Sequence, residues 1–232
     1  MLEVKDLDVF YDQSQVLRGV SLRVEPGEIV CLIGRNGVGK STTMKAIVGL
    51  VQARGGVISF KGQNVLGLPA YRVARAGVGY VPEDRRVFGE LTVLQNLRVA
   101  MRPSRSTRPW TLSDIYEIFP VLEQRRGQLA GNLSGGEKQM LTTARTLLGN
   151  PDLVLIDEPN EGLAPMYVQR VNAMIQEVHN RGTAVLLVEQ SLASVKALAH
   201  RAYVMSKGEI VYQGGARELL SDPAVRQRYL EL

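Results

Sequence analysis

At 232 residues, with 45% hydrophobic and 22% charged residues, the chain is long enough for a substantial core and has the make-up of a globular fold. A formal net charge of +5 permits phosphate, anionic membrane or nucleic-acid partners, but the 28 Lys and Arg are spread along the chain among 23 Asp and Glu. No apolar run approaches ~18 residues, which excludes a membrane-spanning helix, and one cysteine excludes an internal disulfide or a cysteine metal cluster.

The opening MLEVKDLDVF carries Glu3, Lys5, Asp6 and Asp8 where a signal peptide needs an apolar stretch, so the protein is expected to stay on the side of the membrane where it is made. LEVKDLDVFY, VLRGVSLRV and GEIVCLIG read as strands. Cys31, inside the third, reads as a small buried hydrophobe rather than a reactive thiol. A glycine-rich turn leads into the helix-compatible run KSTTMKAIVGLV, and GGVISFKG and VGYVPE read as further strands. From about Leu91 to Asn150 the apolar spacing becomes helical, as in LTVLQNLRVAM and TLSDIYEIFPVLEQRRGQL, which predicts a helical insert. Within it MRPSRSTRP (Arg102, Arg105, Arg108) is the densest basic stretch. Pro103 and Pro109 break any helix there and no aromatic residue interleaves, so it reads as a solvated loop, with lipid headgroups or an acidic partner as the other reading.

DLVLIDEP then returns to a buried strand, MYVQRVNAMIQEVHNRG reads as a helix ending at Gly182, and TAVLLVEQ as the next strand. RAYVMSKGEIVYQGG reads as a hairpin turning at Lys207-Gly208, followed by helical segments. His179 and His200 lack partners at metal-ligand spacing and are expected at the surface. Strands alternating with helices predict an α/β fold, a largely parallel sheet covered on both faces, with a smaller antiparallel part.

Three motifs carry chemistry. GRNGVGKST, Gly34 to Thr42, is a G-x-x-x-x-G-K-[ST] phosphate-binding loop between an apolar strand and a helix. Its glycines (Gly34, Gly37, Gly39) and the intervening Arg35, Asn36 and Val38 turn backbone N–H groups around phosphate oxygens. Lys40 then neutralises the β- and γ-phosphates, and Ser41 and Thr42 open the helix, Ser41 as a Mg²⁺ ligand. LVLIDEP, residues 153 to 159, ends a buried strand in adjacent carboxylates, a costly arrangement without cationic work. Asp157 fits a Mg²⁺ partner and Glu158 a general base for an attacking water. NLSGGEKQML places Leu133, Ser134, Gly135, Gly136 and Glu137 at the start of another helix, a second anion-binding end that one nucleotide does not need from the same subunit.

In that order and spacing, GRNGVGKST, LSGGEKQ and LVLIDEP resemble the nucleotide-binding subunit of an ATP-binding cassette (ABC) transporter, over nearly the whole chain. The resemblance implies a P-loop NTPase core with a mostly parallel sheet, a small antiparallel β subdomain and a helical insert. Residues 1–232 then form a single ABC ATPase domain, with 1–90 and 151–232 as the nucleotide-binding core and 91–150 as the helical subdomain. It implies ATP and Mg²⁺ as cofactors. It implies a second cassette, homo- or heterodimeric, closing head-to-tail so that each ATP lies between one subunit's phosphate loop and the other's Ser134–Gly136 helix end. It also implies integral membrane permease subunits, an indirect substrate-binding-protein partner, a peripheral place on the cytoplasmic face of the inner membrane, and no nucleic acid. Tyr11 falls where the family stacks an aromatic ring on adenine, although a ring packed on the core is the rival reading. YVPEDRRVFGELTVLQNL and DEPNEGLAP are similar to the ATPases of branched-chain amino acid importers, with urea and amide importers as near relatives.

The chain departs from the general cassette pattern at Glu83, where most members carry a Gln that reaches Mg²⁺ and the attacking water, and at Ala164, where most carry Asp. The third departure is in VLLVEQSL. Gln190 stands where most cassettes place the histidine that touches the γ-phosphate, and an amide can donate a hydrogen bond but cannot titrate near neutral pH. Glu189 beside it reads as a solvent-facing charge at a strand end.

Overall fold

In a computed structural model, residues 1–102, 109–161 and 165–221 are described. The opening strands β1 (Leu2–Tyr11) and β2 (Ser14–Val24) alternate buried and exposed residues, so each can face a core on one side only. They join β4 (Ala53–Phe60) and the short β5 (Gln63–Asn64) in an antiparallel sheet of order β2-β1-β4-β5.

The central strands of the other sheet are apolar, apart from a carboxylate that ends two of them. β3 (Ile29–Ile33), β7 (Leu153–Asp157) and β8 (Ala184–Glu189) are buried at every position, as parallel strands covered on both faces must be. With β6 (Val78–Val81), β9 (Arg201–Ser206) and β10 (Glu209–Gly215) they form a sheet of order β10-β9-β3-β8-β7-β6, in which only the β9–β10 hairpin is antiparallel. Alternation along β8 divides two cores. Leu186 and Val188 face the antiparallel sheet and helix α1 (Lys40–Ile47), while Val185 and Leu187 face the helical insert. Truncating Leu187 to Ala would cost about 2–5 kcal/mol.

The insert comprises α3 (Val93–Ala100), α4 (Leu112–Ile118), α5 (Pro120–Gln124), a 3₁₀ turn (Ala130–Asn132) and α6 (Gly135–Leu147). A bridge between Thr92 and Leu129 ties its ends, and Leu97, Phe119, Leu122 and Leu141 pack it onto the sheet. Helix α7 (Pro165–Asn180) follows β7. Three helices without a strong apolar period in the sequence also form: α2 (Ala70–Ala76), α8 (Leu192–Leu198) and α9 (Ala216–Ser221). No helix among the described residues is long and apolar enough to cross a membrane. Arg105 and Arg108 of the basic stretch, Ala164, and the tail beyond Ser221 lie outside the described residues.

His200 is exposed, as expected from sequence, and His179 is half-buried. His179 and His200 are not isolated: their ring centroids are 4.9 Å apart, and His179 Nδ1 is buried without a hydrogen-bond partner. The end of α7 and the turn before β9 meet at the same edge of the sheet, where His200 Nδ1 accepts from Ile29 N–H at 3.0 Å.

Register sets the site at the opposite edge. Ile33 pairs with Glu189, Asp157 with Val188, and Val81 with Ile156. The loops leaving β3, β7, β8 and β6 therefore emerge together at the carboxyl ends of the strands, where open parallel sheets bind ligands.

Candidate active site

β3 delivers the chain to Gly34 under tight packing. A Cβ at Gly34 would lie 2.4 Å from the Met205 carbonyl oxygen, and one at Gly39, where φ is +113°, would lie 2.6 Å from Leu17 Cδ2. Only glycine fits a loop pressed this closely on its neighbours. Gly39 caps α1 with no side-chain hydrogen bond, whereas Thr92, Thr111 and Ser134 form full capping boxes on α3, α4 and α6. The first-turn donors of α1 are thus kept for an anion. Arg35 is exposed and contributes its carbonyl, while Val38 is half-buried and accepts from Gly208 N–H.

Asn36, Gly37, Gly39, Lys40, Ser41 and Thr42 line one pocket, and Glu83, Glu158 and Glu161 close its other wall. Lys40 Nζ donates to the carbonyls of Gly34 (2.8 Å) and Arg35 (2.9 Å) and pairs with Glu158 Oε1 at 3.0 Å. The second Glu158 oxygen accepts from Gln190 Nε2. Glu158 holds this position with φ +44°, a left-handed conformation that non-glycine residues rarely keep without surrounding support.

Asp157 is buried and doubly held: Ser41 Oγ donates to Oδ1 and the Tyr80 hydroxyl to Oδ2, each at 3.0 Å. Burial pushes its carboxyl above the ordinary range, and the two hydrogen bonds pull it back down. Glu161 is pushed up as well, first by burial and then by Glu158 and Glu83. Carboxylates crowding a phosphate loop have chemical sense only beside a cation. Among the described residues no group of three or more His, Cys, Asp or Glu could hold a metal. The Ser41 hydroxyl and the Asp157 carboxylate beside it are the oxygen donors that Mg²⁺ takes while keeping waters and phosphate ligands.

Other residues singled out in the sequence stand apart from this pocket. Tyr11 is 45% exposed at the end of β1, paired with Ser14, and is not packed in the core. Leu133 is buried under the helical insert. Ser134 and Glu137 close a reciprocal capping box, and Glu137 also pairs with Arg125 at 2.7 Å. None of Leu133, Ser134, Gly135, Gly136 and Glu137 lines the pocket of its own chain.

Two residues contradict or escape the reading from sequence. Glu189 is not a solvent-facing strand end but 4% exposed. Asn160 Nδ2 donates to its Oε1 at 2.8 Å, and the N–H groups of Gln190 and Ser191 add bonds, though burial still raises its pKa. Asn160 also donates to Ser194 Oγ (3.2 Å) and Asn172 Oδ1 (3.3 Å), joining the loop of Glu158 to the strand that presents Gln190. Tyr80 is the other missed residue. A charge and a hydroxyl on otherwise apolar strands were the available signals, but only three-dimensional contact says what each one touches.

A family profile described as ABC transporter matches residues 17–161. The chain belongs to the ABC transporter ATP-binding family. This cassette is 41% identical over 231 residues to the high-affinity branched-chain amino acid transport ATP-binding protein BraG of Pseudomonas aeruginosa, covering 99% of each chain. It is 34% identical over 233 residues to the lipopolysaccharide export system ATP-binding protein LptB of Escherichia coli K12, covering 99% of this chain and 96% of that one. A solved ATP-binding cassette of an ABC transporter in its ADP conformation superposes with a TM-score of 0.81 at 26% identity, over 98% of this chain and 97% of that one. The cassette is accordingly an ATPase that hydrolyses ATP to drive transport, in a family whose cassettes dimerise and work with membrane permease components.

Proposed function

We propose that this cassette is the ATPase subunit of a branched-chain amino acid importer, peripheral on the cytoplasmic face of the inner membrane. The observation that carries the cargo is the 41% identity to BraG over 99% of both chains. The 34% identity to LptB supports a different cargo as the second reading, and the likeness of DEPNEGLAP to urea and amide importers supports a third.

In this reading residues 1–232 act as one ABC ATPase domain, with 1–90 and 151–232 as nucleotide-binding core and 91–150 as helical subdomain. The backbone from Gly34 to Thr42 cradles the phosphates, and Tyr11 stacks on the adenine. Ser41, Asp157 and Glu83 hold Mg²⁺, which when bound neutralises charge on the β- and γ-phosphate oxygens. Lys40 is paired with Glu158. Phosphate binding draws Lys40 away and frees one oxygen of Glu158 to take a proton from the attacking water. Gln190 holds the other oxygen and donates to the γ-phosphate once the nucleotide is in place.

The second ATP-binding wall comes from the partner cassette, identical or paralogous, through its Leu133 to Glu137. That Ser134 and its neighbours stand outside the phosphate-loop pocket of their own chain supports a role in trans. ATP contacts both halves only in the closed dimer, so it closes the dimer, and hydrolysis lets it reopen. The permease subunits dock in the groove between core and helical insert, lined by Leu50, Ala70, Ala74 and Ala100, where Leu50 leaves an apolar side chain 57% exposed. A substrate-binding protein acts from the far side of the membrane, and no nucleic acid takes part.

The test is reconstitution of the cassette with its membrane subunits in proteoliposomes. Stimulation of ATP hydrolysis by a binding protein loaded with leucine, isoleucine or valine is the expected result. Stimulation by urea, an amide or lipopolysaccharide in its place would overturn the cargo assignment.

A further inference from the structure

Tyr80 occupies two sites at once. From β6 its side chain lines the groove between core and helical insert, together with Leu50, Ala74, Ala100 and Arg145. Its hydroxyl donates to Asp157 Oδ2 at 3.0 Å, on the oxygen that Ser41 leaves open. The strand holds it there by pairing with Leu155, two residues before Asp157, and Thr146 Oγ1 of α6 donates to the Tyr80 carbonyl at 3.2 Å. A phenol is long and rigid, with two side-chain torsions, so pressure on the ring in the groove moves the hydroxyl at the carboxylate. Phenylalanine would fill the same space, and the groove alone has no use for the oxygen.

We propose that Tyr80 is a positioning residue that links occupancy of the groove to the hold of Asp157 on Mg²⁺. The link rests on the reading of the groove as the permease dock and of Asp157 as a Mg²⁺ ligand. It is separate from the loop that carries Glu83, because it runs through a side chain anchored within the sheet. With the groove empty, the Tyr80 hydroxyl orients Oδ2 of the buried carboxylate toward its ligating position. An occupant that presses on the ring shifts the hydroxyl and loosens the ion, so a partner entering the groove alters the nucleotide site without touching it.

The test reads Mg²⁺ through binding rather than turnover. A trinitrophenyl-ATP titration gives nucleotide affinity in EDTA, and its Mg²⁺ dependence gives a half-saturation concentration. Tyr80→Phe should raise that concentration on the order of tenfold while leaving affinity in EDTA near wild type. Ala74→Trp, at an exposed groove position, should shift it at least about threefold when Tyr80 is present and leave it unshifted in the Tyr80→Phe background. An unchanged half-saturation in Tyr80→Phe, no shift in Ala74→Trp alone, or equal shifts in both backgrounds would overturn the proposal. Co-purification of tagged membrane subunits with Ala74→Trp judges the groove separately: retained capture counts against the dock, whereas the double-mutant cycle judges Tyr80.

Discussion

Asn160 and Glu189 meet in a buried hydrogen bond of 2.8 Å that ties the loop carrying Glu158 to the strand end presenting Gln190. The bond spans two separate strand ends, so it fixes the distance between the proposed base and the amide that holds it. Truncation should therefore loosen chemistry as well as fold. Asn160→Ala is expected to lower kcat more than it raises KM for ATP. It should also cost about 1–3 kcal/mol in urea unfolding, since the buried Glu189 carboxylate loses its side-chain donor. Unchanged kcat with lost stability would assign the pair a purely structural role.

Lys40 lines the proposed phosphate pocket and is almost fully buried, at 3% exposure. Lys40→Ala is expected to abolish ATP binding by equilibrium dialysis. The same substitution leaves Glu158 buried without its cationic partner, so the melting temperature should fall too. Near-normal ATP affinity in a folded Lys40→Ala protein would contradict the site.

Glu158→Gln keeps the shape of the side chain and removes the base. It should bind Mg-ATP, fail to hydrolyse it, and elute as a dimer in size exclusion, alone or with its paralogous partner. Monomer under both conditions would sink the head-to-tail arrangement.

Gln190 donates to Glu158 and carries no titratable proton. Wild-type kcat should therefore show no step assignable to position 190. Gln190→His should introduce a step near pH 6.5, the ordinary range of an imidazole. An unaltered pH profile in a fully active Gln190→His enzyme would place residue 190 outside the reacting geometry.

The half-buried imidazole of His179 is held below its ordinary pKa, first by partial burial and then by the neighbouring His200. The unfolded chain binds this proton more readily than the folded one. The stability is thus fully present above about pH 6.5 and is lost as pH falls below it, with a slope no steeper than about 1.4 kcal/mol per pH unit. Melting temperatures measured from pH 7.5 to 5.5 should converge between wild type and His179→Gln if this proton is the cause. Parallel curves would refute it.

The phosphate loop, the DEP strand and the helix after Ser134 were legible because local sequence dictates them: glycine where a side chain has no room, and apolar runs that end in charge. Cys31 followed from its neighbours in the same way, and is buried. Glu189 was misread for a different reason. Burial at a strand end depends on what a distant segment lays over it, and Asn160 and Ser194 are such segments for Glu189. Tyr80 escaped notice because a tyrosine in a short strand is ordinary until a carboxylate from the next strand meets its hydroxyl.

By itself, then, the sequence determined the alternation of strands and helices, the anion-binding loop and the paired carboxylates, since backbone sterics and hydrophobic periodicity act over a few residues. Only the tertiary structure decided which ends of those strands meet, that Lys40 rests on Glu158, that Gln190 holds the same carboxylate, and that Asp157 is gripped from two sides. Those contacts include residues far apart in the chain, as Ser41 and Asp157 are at 116 positions, and sheet register rather than local preference brings them together.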